Sequence, residues 1–379
     1  MTQGNKTIII LAYLAAFLGV CGHASSEFFV KLSGITGVEV SVWRFGLGGF
    51  ALLILCMLNP TSRKLIKPLK ENAYPIVILS VLGMAFGQFL FHWALDFASV
   101  VQVATMVTIM PIGVVFVARV IEGTKITPPK IISGIGAFLG CIFLLTDGYL
   151  DQLSGTSNSL TGICLSIGCA LVGAIYLVMV KPYVQLYGSV RMTTYTFTLG
   201  FLALYPSIGI IWGIWVNPLD LFDRSSVEYF SIIALGIWNT CIAFILWLWG
   251  LSKIPDVARG NYLFFLKPVI ALCLAFFILK DDISINQLIA IFVITGFVIL
   301  EIFYTPISKI IKINDNNQNF SFNSLNLNII LALWIAGTLD QVSNAIFAFS
   351  TARSKSDFEP NITSDSCFPV AGLNILPFF

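Results

Sequence analysis

Ten times along this chain a run of roughly 20 apolar residues is bounded by charged or turn-forming clusters. The runs lie near residues 7–28, 38–58, 74–95, 99–121, 129–146, 160–180, 190–216, 227–250, 258–279 and 284–304. A hydrocarbon core about 30 Å thick takes about 20 residues of helix to cross. Backbone groups in lipid must be satisfied within their own segment, and these runs are too long and too uniformly apolar for barrel strands. Each therefore predicts a spanning helix. Composition adds the deciding contrast: 57% hydrophobic, 11% charged and a mean hydropathy of +0.90, where a soluble domain carries about 25% charged residues. The expected fold class is an all-α polytopic membrane protein.

Several functions are excluded by what the chain lacks. Formal net charge is +2 and no basic stretch is interleaved with aromatics, so no nucleic-acid partner is expected. Cys21, Cys56, Cys141, Cys164, Cys169, Cys241 and Cys273 fall inside apolar runs without a CxxC pair or metal-ligand spacing, and read as small buried hydrophobes. No metal and no cofactor is predicted. With only His23 and His92 there is no HExxH, and P-loop and GxSxG patterns are missing, so no enzyme is expected. Thr7 to Val20 with Ala24-Ser25-Ser26 has the outline of a signal peptide. Only Lys6 precedes it in charge and the chain beyond is not secretory, so it reads as a retained first span.

Lysine and arginine set the orientation. With the N-terminus cytoplasmic, the cytoplasmic loops hold Arg63, Lys64, Lys67, Lys70, Lys125, Lys130, Lys181, Arg191, Lys253 and Arg259; the opposite loops hold Lys31, Arg224 and Lys280. Lys6, Lys309 and Lys312 agree. The expected location is a cytoplasmic (inner) membrane, multi-pass, with the N-terminus inside.

The chain also repeats. Trp93-Ala94-Leu95 leads to Pro111 and then Lys125-Ile126-Thr127, while Trp249-Gly250-Leu251 leads to Pro268 and then Asp282-Ile283-Ser284. The interval from Pro111 to Thr127 equals that from Pro268 to Ser284. Five spans is an odd number, so two such halves enter the membrane in opposite senses, the inverted repeat of secondary carriers with a midplane site. The boundaries expected are 1–150 for the first five-helix repeat, 151–308 for the second, and 309–379 for a polar linker and C-terminal tail. Within that tail, Asn314 to Asn328 reads as a linker. Ile329 to Phe349 is read as an interfacial helix, an eleventh span or a disordered stretch.

Residues 7 to 304 resemble the drug/metabolite transporter superfamily, in particular its EamA-type members. The carriers are Trp43-Arg44-Phe45, the hinge Ala94-Leu95-Asp96-Phe97-Ala98-Ser99, Pro111 and Pro268, and the endings Glu122-Gly123-Thr124-Lys125-Ile126-Thr127 and Leu279-Lys280-Asp281-Asp282-Ile283-Ser284. Members commonly show Leu-Gly-Glu-x-Ile-Thr at those endings; here Thr124 and Asp281 stand in the place of the Glu. The resemblance implies a carrier of amino acids, nucleotide-like compounds, sugars or drugs.

Ionisable groups at membrane depth are costly and mark function. His23, Glu27 and Lys31 share one helix face at i, i+4 and i+8, as do Gln88, His92 and Asp96. Arg44 enters the second span at the same level. These read as a gate or relay, with histidine chosen for its titration range, against the alternative of a structural ion-pair cluster. Lys267 sits mid-span beside Pro268, where a freed carbonyl and a cation suit an anionic group. Asn261, Tyr262, Trp238 and Asn239 could line the same cavity, whereas Trp247 and Trp249 read as interfacial belt. Gly46, Gly48, Gly49, Gly83, Gly87, Gly134, Gly136 and Gly140 read as helix-packing positions.

The expectation is secondary-active transport of a small amino-acid-like or other anionic metabolite by alternating access, with Pro111 and Pro268 as helix breaks. The expected partners are the small-molecule substrate and membrane lipid, with proton coupling and a monomer or homodimer left open. The alternatives are efflux of lipophilic cations, a channel or a membrane scaffold.

Overall fold

The computed structural model describes residues 3–35, 37–98, 100–149, 153, 157–279 and 283–317, and these contain helices and connections with no strand. The chain divides into two compact units. One is Met1–Ile302; the other begins at Phe303, and its described part is the end of the last helix, to Asn317. The tail stretch 329–349 and most of the proposed linker lie outside the described residues.

Among the described residues, ten helices are long and apolar enough to cross a membrane: α1 (Lys6–Ser33), α2 (Glu39–Leu58), α3 (Ile66–Ala94), α4 (Gln102–Ile121), α5 (Pro128–Leu145), α6 (Ser159–Tyr187), α7 (Ser189–Trp212), α8 (Ser226–Lys253), α9 (Val257–Ile278) and α10 (Ile285–Tyr304). Their ends follow local chemistry. Ser225 and Glu228 form a reciprocal capping box at the start of α8, and Asp256 accepts from the Arg259 N–H to cap α9, each satisfying orphan amides of a first turn. Helix α7 stops at Gly213, whose φ of 71° most side chains avoid. Helix α3 begins earlier than the hydropathy run at residue 74, because its first turns are polar and helical, with Lys67 and Glu71 paired at i, i+4.

Irregular backbone recurs at matching places in the two halves. The third helix of each carries a π segment, Leu79–Ala85 in α3 and Leu235–Ile242 in α8. The fourth helix of each is interrupted before a proline. In α4 the helical hydrogen bonding ends at Val107 and resumes at Met110, with Pro111 in the new first turn. In α9 a 3-10 stretch, Tyr262–Phe265, precedes Leu266–Leu274, which contains Pro268. Proline lacks a donor N–H and its ring crowds the preceding turn, so the break on its N-terminal side follows from covalent structure.

Helix α1 packs tightly on α8. A side chain at Gly19 would meet Trp247 Cβ at 2.7 Å, and one at Gly250 would meet the Ala12 carbonyl at 2.5 Å. Lipid offers no hydrophobic drive between helices, so such small-residue contacts and interhelical hydrogen bonds hold them together. At this seam Trp238 Nε1 and Asn239 Nδ2 each donate to Ser25 Oγ at 3.0 Å, and Asn239 also donates to the Gly22 carbonyl. An edge-to-face aromatic chain, Phe45 to Phe197 to Phe244 to His23, joins α2, α7, α8 and α1 at centroid separations of 4.8, 4.7 and 4.6 Å.

Candidate functional site

The tight α1–α8 seam and the π segment of α3 leave a cavity of about 210 Å³ inside the bundle. At one end its lining includes Val30 near the end of α1, the exposed Gly37 in the α1–α2 connection and Val40 at the start of α2. Its floor lies at mid-helix, with Val107 and Met110 at the break in α4, Leu177 in α6, Trp247 in α8 and Phe264 in α9. A second, smaller cavity of about 30 Å³ adjoins it behind Phe91, Val107, Phe264 and Lys267, and reaches Pro268.

Five of the polar residues expected from the sequence line the main cavity: His23, Arg44, Gln88, His92 and Lys267. Arg44 comes from the first half and Lys267 from the second. Both cations share the lining with His23 and Cys169. His23 is buried, its ring held edge-on by Phe244 and Trp247 at 4.6 and 5.0 Å. Its Nε2 has no hydrogen-bond partner among the described residues, which leaves one imidazole nitrogen for a ligand or water. His92 is fixed through its Nδ1, 2.9 Å from the Gln88 carbonyl, and Ser41 Oγ donates to Gln88 Oε1 at 3.2 Å while lying 3.3 Å from His92 Nδ1. The walls between these groups are aromatic: Phe91, Tyr176, Phe244, Trp247 and Phe264. Tyr176 keeps its hydroxyl satisfied by Thr196 Oγ1 at 2.9 Å and so presents a ring rather than a free donor.

Glu27 lies on α1 one turn beyond His23, and its side chain is outside the described residues. Lys31 and Asp96, expected at the ends of the two stripes, are exposed and do not line the cavity. Four other expected residues do not line the cavity, and three of them bond to neighbouring helices. Trp238 and Asn239 hold α1 to α8, as described. Tyr262 donates its hydroxyl to the Lys130 carbonyl, tying α9 to α5. Asn261 is fully buried, with neither amide atom hydrogen-bonded among the described residues, and is not part of the lining. Trp247 departs in the other sense: it is 4% exposed and forms cavity wall instead of interfacial belt, because α8 turns that face toward His23. Gly83 and Gly87 border the cavity as well as packing on α6, where a side chain at Gly83 would meet Tyr176 Cδ2 at 2.8 Å. Among the described residues no group of three His, Cys, Asp or Glu could hold a metal ion.

Ten membrane-length helices around a charge-lined, aromatic-walled cavity are the build of a membrane transporter. The comparison with known families agrees: the EamA-like transporter family matches residues 7–146 and again 160–303. The chain belongs to that family, within the drug/metabolite transporter superfamily. Relatives are distant. The uncharacterized transporter YyaM of Bacillus subtilis (strain 168) is 22% identical over 278 residues, covering 73% of this chain and 86% of the relative. A probable terminal-alkyne amino-acid exporter of Streptantibioticus cattleyicolor is 22% identical over 244 residues, covering 64% and 75%. A solved crystal structure superposes with a TM-score of 0.66 at 20% identity, covering 76% of this chain and 95% of that one; the fold is shared.

Proposed function

We propose that this protein is a secondary carrier of a small carboxylate-bearing, amino-acid-like metabolite. The observation that carries the reading is the meeting of Arg44 and Lys267, one from each half, in a single aromatic-walled cavity with two histidines. An arginine fork and a lysine ammonium are the side chains suited to a carboxylate, and the aromatic walls suit an apolar substituent. The amino-acid exporter among the relatives supports the same substrate class.

The two halves, 1–150 and 151–308, act as inverted repeats that rock about this cavity, with the breaks before Pro111 and Pro268 as the places where backbone yields. The protein sits in the cytoplasmic membrane with its N-terminus inside, a placement the lysine and arginine distribution supports. His23 and His92 are the groups placed to exchange protons with a passing substrate. Lipophilic-cation efflux is the second reading, favoured by the aromatic walls alone and opposed by the two cations.

Thermal-shift titration of purified protein with amino acids, other carboxylates and lipophilic cations tests the choice. A carboxylate that stabilises the native chain by mass action, but not the Lys267→Ala variant, supports the proposal. Stabilisation by lipophilic cations alone removes it.

A further inference from the structure

The end of the bundle opposite Gly37 is built differently. Lys130 at the start of α5 is 3% exposed and pairs with Asp256, in the α8–α9 connection, at 2.5 Å. Arg259 in the first turn of α9 pairs with Glu301 of α10 at 3.0 Å, and the Glu301 side chain is fully buried. Lys181 of α6 pairs with Glu122 at the end of α4 at 3.4 Å and donates to the Pro255 carbonyl at 3.2 Å. Three ion pairs thus converge on one short segment, residues 255–259, from α4, α5, α6 and α10. No residue of these pairs lines the cavity.

From this geometry we infer that the three pairs form a latch that closes the bundle at this end. The structure is then the state open toward Gly37, and transport requires the latch to part and reseal in each cycle. The reasoning is electrostatic. A charge buried in a low-dielectric bundle is tolerable only with its partner or with water. Separating α9 from α5 and α10 therefore demands that water reach Lys130, Asp256, Arg259 and Glu301 together. The two states become discrete: dry and paired, or wet and parted. The α8–α9 connection is suited to this because it joins the seam helix α8 to α9, the helix that carries Lys267 and is interrupted in the middle by its 3-10 stretch. A ligand that pulls on Lys267 thereby acts on the latch through one helix. The inference rests on the transport reading of the cavity, yet its test needs no substrate.

Cys169 supplies the reporter, since it lines the cavity and is partly accessible. Protein reconstituted in vesicles is exposed to a membrane-impermeant maleimide on one side at a time, and modification of Cys169 is read by peptide mass, with Cys169→Ser as the control. The native chain should be labelled from the side bearing Gly37. Lys130→Ala or Glu301→Gln should raise labelling from the opposite side by about tenfold or more, as a shift of a two-state equilibrium does. The exchanged pair Lys130→Asp with Asp256→Lys should restore native sidedness. Folded variants with unchanged sidedness overturn the latch. Where a buried-charge variant does not fold, Lys181→Gln, which removes the more accessible pair, is read the same way. A chain that shows the shift but transports none of the tested compounds keeps the latch and loses the transport reading.

Discussion

Charge is arranged in opposite ways at the two ends of this bundle. Toward Gly37, the described lining of the cavity presents two cations, Arg44 and Lys267, and two histidines in a space large enough for a small solute. At the other end, Lys130, Arg259 and Lys181 each meet a carboxylate within 3.4 Å in closely packed surroundings. Both sets sit on polar positions interrupting apolar helices, and both are costly to bury. The difference is geometric. The first set borders a cavity; the second is drawn into ion pairs that cross from helix to helix.

Breaking the paired end should have the largest effect. Glu301→Ala leaves Arg259 buried without its carboxylate and should cost about 3–5 kcal/mol, read as a fall in the melting temperature of the detergent-solubilised protein. An unchanged melting temperature would mean that water already reaches this pair. At the cavity end the expected loss is in binding rather than folding. Lys267→Ala should weaken a carboxylate ligand by about 2–5 kcal/mol, measured by titration calorimetry. Ser41→Ala removes one neutral contact with Gln88 and His92 and should cost about 1 kcal/mol in the ligand-free protein. Glu71→Gln marks the lower limit. Its pair with Lys67 is exposed on both sides at 3.7 Å, a glutamine keeps an oxygen to accept from the Tyr187 hydroxyl, and the change should stay within about 0.5 kcal/mol.

The spans were legible because the requirement that sets them is local: a run of apolar residues long enough for the bilayer. All ten runs coincide with helices. What hydropathy misses is helix that extends past the apolar stretch, as in the first turns of α3 from Ile66, through Lys181 to Tyr187 in α6, and beyond Tyr304 to Asn317. Those turns are polar, and polar helix reads like loop when only apolarity is counted. The site was legible in part. His23, Arg44, Gln88, His92 and Lys267 stood out as polar groups in apolar context, and each faces the cavity. Trp238, Asn239 and Tyr262 stood out for the same reason but spend their hydrogen bonds on neighbouring helices. A sequence marks a polar group as buried; only the packing says whether it faces a helix or a cavity. Trp247 shows the converse, an aromatic typical of an interface that the rotation of α8 brings to His23. Cys169 and Ser41 carried no sequence signal, since small residues in apolar runs are ordinary.

In the proposed carrier Arg44 and Lys267 jointly hold a carboxylate. The direct measurement is calorimetric titration of the purified protein with the carboxylate that best stabilises it, alongside its uncharged amide. The acid should bind, binding should be lost in both Arg44→Ala and Lys267→Ala, and the amide should bind at least about thirtyfold more weakly, as loss of a charge-assisted contact implies. Equal affinity for acid and amide, or full binding by either variant, would contradict it.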